Sequence, residues 1–423
     1  MDTSRPVPLP DSGRLRELDF VRGFALFGIL VVNIGFFSMP SFQALHPPIG
    51  GGRSETLSWG IVRALFELKF MALFSMLFGM GFTLQSARLM GQGGRIGMVF
   101  LRRLGILAVL GLIHAVLIWN GDILFVYAAA GAILYWTRKW PWKRHLTVGV
   151  TGLLLATGIH VAVEAMERRE PIQPSASRIR QAPDDRDPRW LWALKNSHRD
   201  PSLFSEAESI AYKQGPMKAT IVVRTVAWLG MLIVMYGLAG YFLRVVALFF
   251  LGVALMKAGL FESEHEQWPG RLCRCGIAIG FPLEVGAAIV MHFTGYPSAS
   301  FLGVVLAGIH DLASVVMAVG ILGGATLIAR SGALPWIRSL LERVGRMALT
   351  NYLGQSVMTT GVMYWWGLGL FGEISRPRQL SLVAALFLVQ VALSTLWLRV
   401  FRLGPLEWGW RSLTYLRWQA LRR

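Results

Sequence analysis

Residues 101–136 read LRRLGILAVLGLIHAVLIWNGDILFVYAAAGAILYW. Two apolar runs face each other across a tight turn, Trp119-Asn120-Gly121-Asp122. Arg102 and Arg103 stand before the first run, and Arg138 and Lys139 follow the second. Neither run alternates polar with apolar residues, and each approaches the roughly 20 residues that cross a bilayer as a helix. Outward from this pair the pattern repeats. Candidate spans begin near Leu18, Val62, Leu101, Asp122, Leu146, Ile221, Cys275, Phe301, Met347 and Leu380. The chain is therefore expected to be an all-α, polytopic transmembrane bundle of about ten spans, with eleven as the alternative.

Composition agrees. Of 423 residues, 54% are hydrophobic and only 16% charged, against about 25% charge in soluble domains. That excludes an ordinary cytosolic enzyme and a disordered chain. The net charge of +18 does not indicate nucleic acid, because the basic residues sit in short clusters between apolar runs. Such clusters mark cytoplasmic loops: Arg14, Arg16 and Arg22; Arg88, Arg95, Arg102 and Arg103; Arg138, Lys139, Lys143 and Arg144; Arg330, Arg338, Arg343 and Arg346; and Arg402, Arg411, Arg417, Arg422 and Arg423. They agree if both termini are cytoplasmic and the first run is an uncleaved span.

The stretch from Ile221 to Leu260 is about forty residues long, enough for two helices. Two full spans would place Arg330–Arg346 outside. The sequence thus favours one span preceded by an interfacial or half-inserted helix around Trp228, with Arg224 and Arg244 near its ends. Residues 1–423 then form one transmembrane domain. Residues 167–218, rich in proline and mixed charge, form an extracytoplasmic loop or small cap, and 404–423 form a cytoplasmic tail. No internal repeat of the kind many transporters carry is visible. Gly-rich spans permit close helix contacts, within the chain or in a homodimer.

Ionisable residues inside spans are costly and usually functional. His114 and Asp122 fall together in the outer half of the membrane. A carboxylate beside an imidazole fixes its tautomer and supports its cation, an arrangement suited to a general base; the alternative is a helix-bonding His with an N-capping Asp. Glu67 and Lys69, two apart, point to different faces of the second span, with Asn33 as a plausible partner. Trp119 and Asn120 flank the His114 turn, and His310 and Asp311 lie inside the eighth span. At the cytoplasmic face, Asp19 and Arg22 are i, i+3 neighbours, joined by Arg346, Glu407 and Arg411. Asn351, Tyr352, Gln355 and Ser356 lead inward from there. This face reads as an anion pocket built from Arg forks, or as interfacial anchoring. Glu284 and His292 are weaker candidates. His145, His198 and His265 read as loop residues. No nucleotide loop, GxSxG elbow, HExxH or CxxC pair is present, and Cys273 and Cys275 are too few for a metal knuckle, so no metal or redox cofactor is expected.

Six segments carry a resemblance: RELDFVRGFALFGILVVNI (16–34), LFSMLFGMGF (73–82), HAVLIWNGDILFVYA (114–128), LFFLGVALMKAGL (248–260), GRMALTNYLGQS (345–356) and FRLGPLEWGWRSLTY (401–415). They resemble the YeiB-like bacterial inner-membrane proteins, whose C-terminal half is catalogued as domain of unknown function 418. The resemblance covers nearly the whole chain except 167–218. More distantly, Asp19-x-x-Arg22-Gly23 and Asn351-Tyr352 with Gln355 are similar to motifs of transmembrane acyltransferases, including heparan-glucosaminide N-acetyltransferase and the type-three acyltransferases. Gln355 stands where those enzymes often carry a histidine. Their early histidine has no sure counterpart: His46 is nearest by order, and His114 is the better chemical candidate.

Three functions are compatible with these residues. In the first, an acyltransferase takes acyl-CoA at the cytoplasmic arginines and passes the acyl group inward past Asn351, Tyr352, Gln355 and Ser356 to a small-molecule, glycan or lipid acceptor. His114, supported by Asp122 or Glu67, deprotonates the acceptor. In the second, a transporter of a small anionic solute uses Lys69, Glu67, His114 and Asp311 as its midplane site. In the third, a lipid-binding or regulatory membrane protein holds structural ion pairs only.

Overall fold

A computed structural model describes residues 15–48, 52–91, 96–167, 187–294 and 300–423. Arg14, Arg95 and residues 168–186 of the 167–218 segment, with Pro171, Pro174 and Pro183, lie outside the described residues. Within them the chain is helical, and the only extended pairing is an isolated bridge between Phe401 and Arg422.

Seven described helices are long and apolar enough to cross a membrane: Arg16–Ser38, Gly97–Leu117, Trp142–Met166, Met217–Leu238, Trp268–Phe293, Phe301–Arg330 and Arg376–Val400. In chain order the helices of the bundle are α1 (Arg16–Ser38), α2 (Ser41–Leu45), α3 (Arg53–Leu65), α4 (Lys69–Gly91), α5 (Ile96–Leu117), α6 (Leu124–Thr137) and α7 (Trp142–Glu167). Then come α8 (Arg189–Asn196), α9 (Pro201–Lys213), α10 (Met217–Gly230), α11 (Tyr241–Lys257), α12 (Trp268–Phe293) and α13 (Phe301–Arg330). The last four are α14 (Pro335–Arg346), α15 (Ala348–Met363), α16 (Arg376–Val400) and α17 (Pro405–Tyr415).

Three expectations need correction. The apolar run from Val62 is not one helix. It breaks at Phe66–Leu68, where Leu68 takes a left-handed φ of 62°, so Lys69 opens α4 instead of sitting mid-helix. The break lets Glu67 pair with the Arg63 side chain while Lys69, two residues on, pairs with Glu284 and the Arg63 carbonyl. The stretch 221–260 is two helices, and the one around Trp228 is by itself long and apolar enough to cross a membrane. α10 runs on through a π-helical segment (Met231–Leu238), and Gly240, at φ 76°, turns the chain into α11. Every residue from Arg244 to Ala254 in α11 is buried, which is why this segment is apolar on all sides. His145 is not a loop residue: it lies in α7 and is fully buried.

α11 packs between α4 and α7 at the centre of the bundle. Small residues make this possible. A methyl group on Gly252 would stand 2.0 Å from the Met76 carbonyl oxygen, so α4 and α11 touch backbone to backbone. α1 and α14 meet the same way, where a methyl on Gly345 would stand 1.8 Å from the Asp19 carbonyl oxygen. The main apolar core joins α1, α4, α5, α6, α11 and α13. A second core gathers Trp190 and Ala193 of α8, Leu203, Ala207 and Tyr212 of α9, and Phe37, Trp119, Met363 and Phe371 of the bundle. Residues 187–218 therefore form a helical cap seated on one end. Asp200 starts α9 by accepting the Ser202 N–H at 2.9 Å, an N-cap. The amphipathic α14 and α17 lie at the opposite end, among the arginines.

Candidate functional site

α5 ends one turn after His114. The backbone N–H groups of Ile118 and Trp119 both donate to the His114 carbonyl (2.9 and 2.8 Å), which closes the helix and reverses the chain. The turn then brings Asp122 back under the imidazole. His114 Nδ1 lies 2.8 Å from Asp122 Oδ2, and Asp122 Oδ1 accepts the Phe125 N–H at 2.9 Å. Asp122 thus caps α6 and lies within hydrogen-bond reach of the histidine at once. On the far side of the ring, His114 Nε2 lies 2.9 Å from Ser356 Oγ, contributed by α15. His114, Asp122 and Ser356 are each at most 1% exposed. With Nδ1–H donated to the carboxylate, Nε2 is left as the acceptor for the serine hydroxyl.

One turn before Ser356, the Tyr352 ring packs 5.4 Å from the imidazole. Its phenol accepts the Ile123 N–H at 3.3 Å and reaches the Gly121 carbonyl at 3.4 Å. Trp119 stacks on Phe37 at 4.1 Å and packs T-shaped against His114, with centroids 6.3 Å apart. The Trp119 indole N–H is buried without a hydrogen-bond partner among the described residues. Asn120 is half-buried on the turn.

The other face of α15 is committed to neighbouring helices. Asn351 Nδ2 donates to the Val344 carbonyl (2.9 Å) and to Ser394 Oγ (3.0 Å). Gln355 Nε2 donates to the Leu26 carbonyl (3.1 Å) and to Gln390 Oε1 (3.0 Å). Both amides therefore tie α15 to α1, α14 and α16, away from the imidazole. Glu407 accepts the N–H groups of Leu349 (2.7 Å) and Thr350 (3.1 Å) and the Thr350 hydroxyl (2.5 Å), so it caps the start of α15. Burial raises its carboxyl above the ordinary range.

A second polar cluster lies deeper among α4, α12 and α13. Lys69 Nζ is 2.8 Å from Glu284 Oε2 and donates to the Arg63 carbonyl at 2.8 Å. The same Glu284 oxygen is 2.8 Å from His310 Nδ1. Next to it, Asp311 pairs with Arg244 at 2.6 Å, accepts a short hydrogen bond from Thr157 and has His160 3.8 Å away. Glu67 goes elsewhere, to Arg63 at 3.4 Å. With Arg63, Arg376 and Gln379 it lines a cavity of about 50 Å³ between α1, α3 and α16. Asn33 lies on α1 between Val32 and Ile34, which also line it. Glu67 is thus not part of the His114 group.

At the basic end, Asp19 and Arg22 pair at 3.3 Å, and Arg346 donates to the Arg402 carbonyl at 3.1 Å. Arg103 lies 3.7 Å over the Trp410 ring, close enough to Arg411 and Arg22 for mutual repulsion. Among the described residues no His, Cys, Asp or Glu group could hold a metal ion.

Sequence reading passed over Arg103 as a loop cation, ranked Glu284 low and missed His160. It placed Arg244 near a span end, where the first turn of α11 holds it, but did not foresee that the residue is only 2% exposed. Only the rule that buried charges need partners could have flagged Glu284 and Arg244, because their partners lie far away in sequence.

No solved structure matches the chain. The family described as a protein of unknown function, DUF418, matches residues 255–417. The chain is 31% identical to "Uncharacterized protein YxaH" of Bacillus subtilis (strain 168), across 98% of this chain and 97% of that one. It is 29% identical to "Uncharacterized protein YeiB" of Escherichia coli (strain K12), across 94% and 95%. Identity to the "Uncharacterized 39.9 kDa protein in amylase 3'region" of Bacillus acidopullulyticus is 26%, across 97% and 96%. These full-length matches show that the chain belongs to the YeiB-like DUF418 family.

Proposed function

We propose that this membrane protein is an acyltransferase that moves an acyl group from acyl-CoA to an acceptor hydroxyl on the other side of a bacterial inner membrane. The observation that carries this reading is the buried His114–Asp122 pair, whose Nε2 faces a hydroxyl. Asp122 holds the tautomer and would support the imidazolium, while Nε2 takes a proton from an attacking hydroxyl. Exclusion of water would protect the thioester from hydrolysis.

The basic end supplies the complementary half. Arg22, Arg103 and Arg411 would bind CoA phosphates through charge-assisted hydrogen bonds. Arg103 and His114 share α5 and are 11 residues apart (114 − 103), about 16 Å along a helix. An extended pantetheine arm can span that distance. In this reading the chain crosses the membrane about ten times, with both termini and the arginine cluster in the cytoplasm. The acceptor, a glycan or lipid hydroxyl, arrives from the capped end.

Thermal shift with acetyl-CoA and longer acyl-CoAs tests the donor. Stabilisation by acyl-CoA that is weakened in Arg411→Gln supports the reading, and no shift at any chain length sinks it. The linked pairs Lys69–Glu284–His310 and Arg244–Asp311 favour a second reading, a transporter with a relay of buried charges. Solute flux into sealed vesicles without CoA would select that reading instead.

A further inference from the structure

We infer that Ser356 is the nucleophile that first receives the acyl group, so that transfer proceeds through an acyl-serine intermediate; this rests on the acyltransferase reading. The His114 imidazole has two ring nitrogens. Nδ1 is 2.8 Å from Asp122 and Nε2 is 2.9 Å from Ser356. An external hydroxyl could reach the base only by displacing Ser356. The serine hydroxyl is therefore the group that His114 is placed to activate, and the three side chains form a nucleophile, base and orienting carboxylate in hydrogen-bond reach.

Each residue comes from a separate piece of chain: α5, the turn before α6, and α15. The turn joins the first two, but no local geometry requires Ser356 to meet them. Ser356 could have bonded its own helix backbone, as Thr360 does to the Ser356 carbonyl at 2.7 Å. It is instead aimed at the imidazole. The Trp119 N–H, buried without a partner among the described residues on a ring 6.3 Å from the imidazole, is the donor this inference assigns to the oxyanion.

The chemistry balances without redox change. Ser356 Oγ attacks the thioester carbonyl carbon, and its proton moves to His114 Nε2. The C–O bond forms, the C–S bond breaks, and the proton passes to the leaving sulfur, releasing CoA as a thiol. In the second half, an acceptor hydroxyl takes the place of CoA. It attacks the serine ester while Nε2 receives its proton, and that proton returns to Ser356 Oγ.

The donor half-reaction needs no acceptor, so it can be examined alone. Full-length protein in nanodiscs is mixed with radiolabelled acetyl-CoA or palmitoyl-CoA. The expected result is a burst of free CoA equal to the enzyme present, with the acyl group located on Ser356 by peptide mass spectrometry. Ser356→Ala loses burst and label, while its elution profile and melting temperature show that it folds. Ser356→Cys carries the label as a thioester that neutral hydroxylamine removes. Trp119→Phe slows the burst about 100-fold, the scale of one lost oxyanion donor. Label on another residue, or an undiminished burst in folded Ser356→Ala, overturns the covalent step and leaves acyl transfer standing. No burst and no label with any donor overturns the step and counts against the acyltransferase reading as well.

Discussion

At the residue scale, His114 and Asp122 were legible because carboxylates and imidazoles are rare in apolar runs, and a tight turn brings these two within reach. Ser356 was legible only as a polar residue on a span, since serines in membrane helices commonly bond their own backbone. Its approach to His114 depends on the docking of α15 against α5, which local sequence does not encode. Asp122→Asn should leave the fold intact and lower acyl transfer by about 10⁴-fold, as when a triad carboxylate is lost and the imidazole takes the wrong tautomer. Single-turnover CoA release would measure it. Glu208 in the cap offers a prediction about stability. Burial pushes its carboxyl up to about 7, and it accepts from the N–H and hydroxyl of Ser41. Between the unfolded value near 4.5 and about 7, the folded chain holds a proton that the unfolded chain has released. Stability therefore falls as pH rises through that window, by up to about 3 kcal/mol. Glu208→Gln should flatten this slope, as read from melting temperatures at pH 5 and pH 8.

At the element scale, α15 shows two faces with different duties. Tyr352 and Ser356 share the face toward His114, while Asn351 and Gln355 zip the helix to α16. The one-turn spacing of each pair was visible in GRMALTNYLGQS; which pair met the histidine was not, because 3.6 periodicity gives faces without saying what they face. Glu407 came as a surprise of the same kind. It read as part of an anion pocket, but three hydrogen bonds make it the cap of α15. Glu407→Ala should cost roughly 1–2 kcal/mol in stability, seen as a lower melting temperature, with acyl-CoA affinity changed little.

At the scale of the whole molecule, the apolar runs disclosed an all-helical membrane bundle. They did not disclose its centre, because α11 is short and its register with α4 is set by glycines against carbonyls. Ion pairing across the bundle was equally hidden. Glu284→Gln removes the countercharge of Lys69 and should destabilise the protein by about 3–5 kcal/mol, the cost of stranding a buried charge. Denaturation in detergent would show it, and Glu284→Gln with Lys69→Met should recover much of the loss.

The cap has one more consequence. Trp119, which flanks His114, belongs to the same apolar cluster as Trp190, Leu203 and Tyr212 of α8 and α9. On the proposed acyltransferase reading, an acceptor arriving at that end would have to lift these helices from their seat before it could meet the serine. Turnover would then be paced by a hinge working against the surrounding fluid, and steady-state rates should fall in proportion as glycerol thickens the medium.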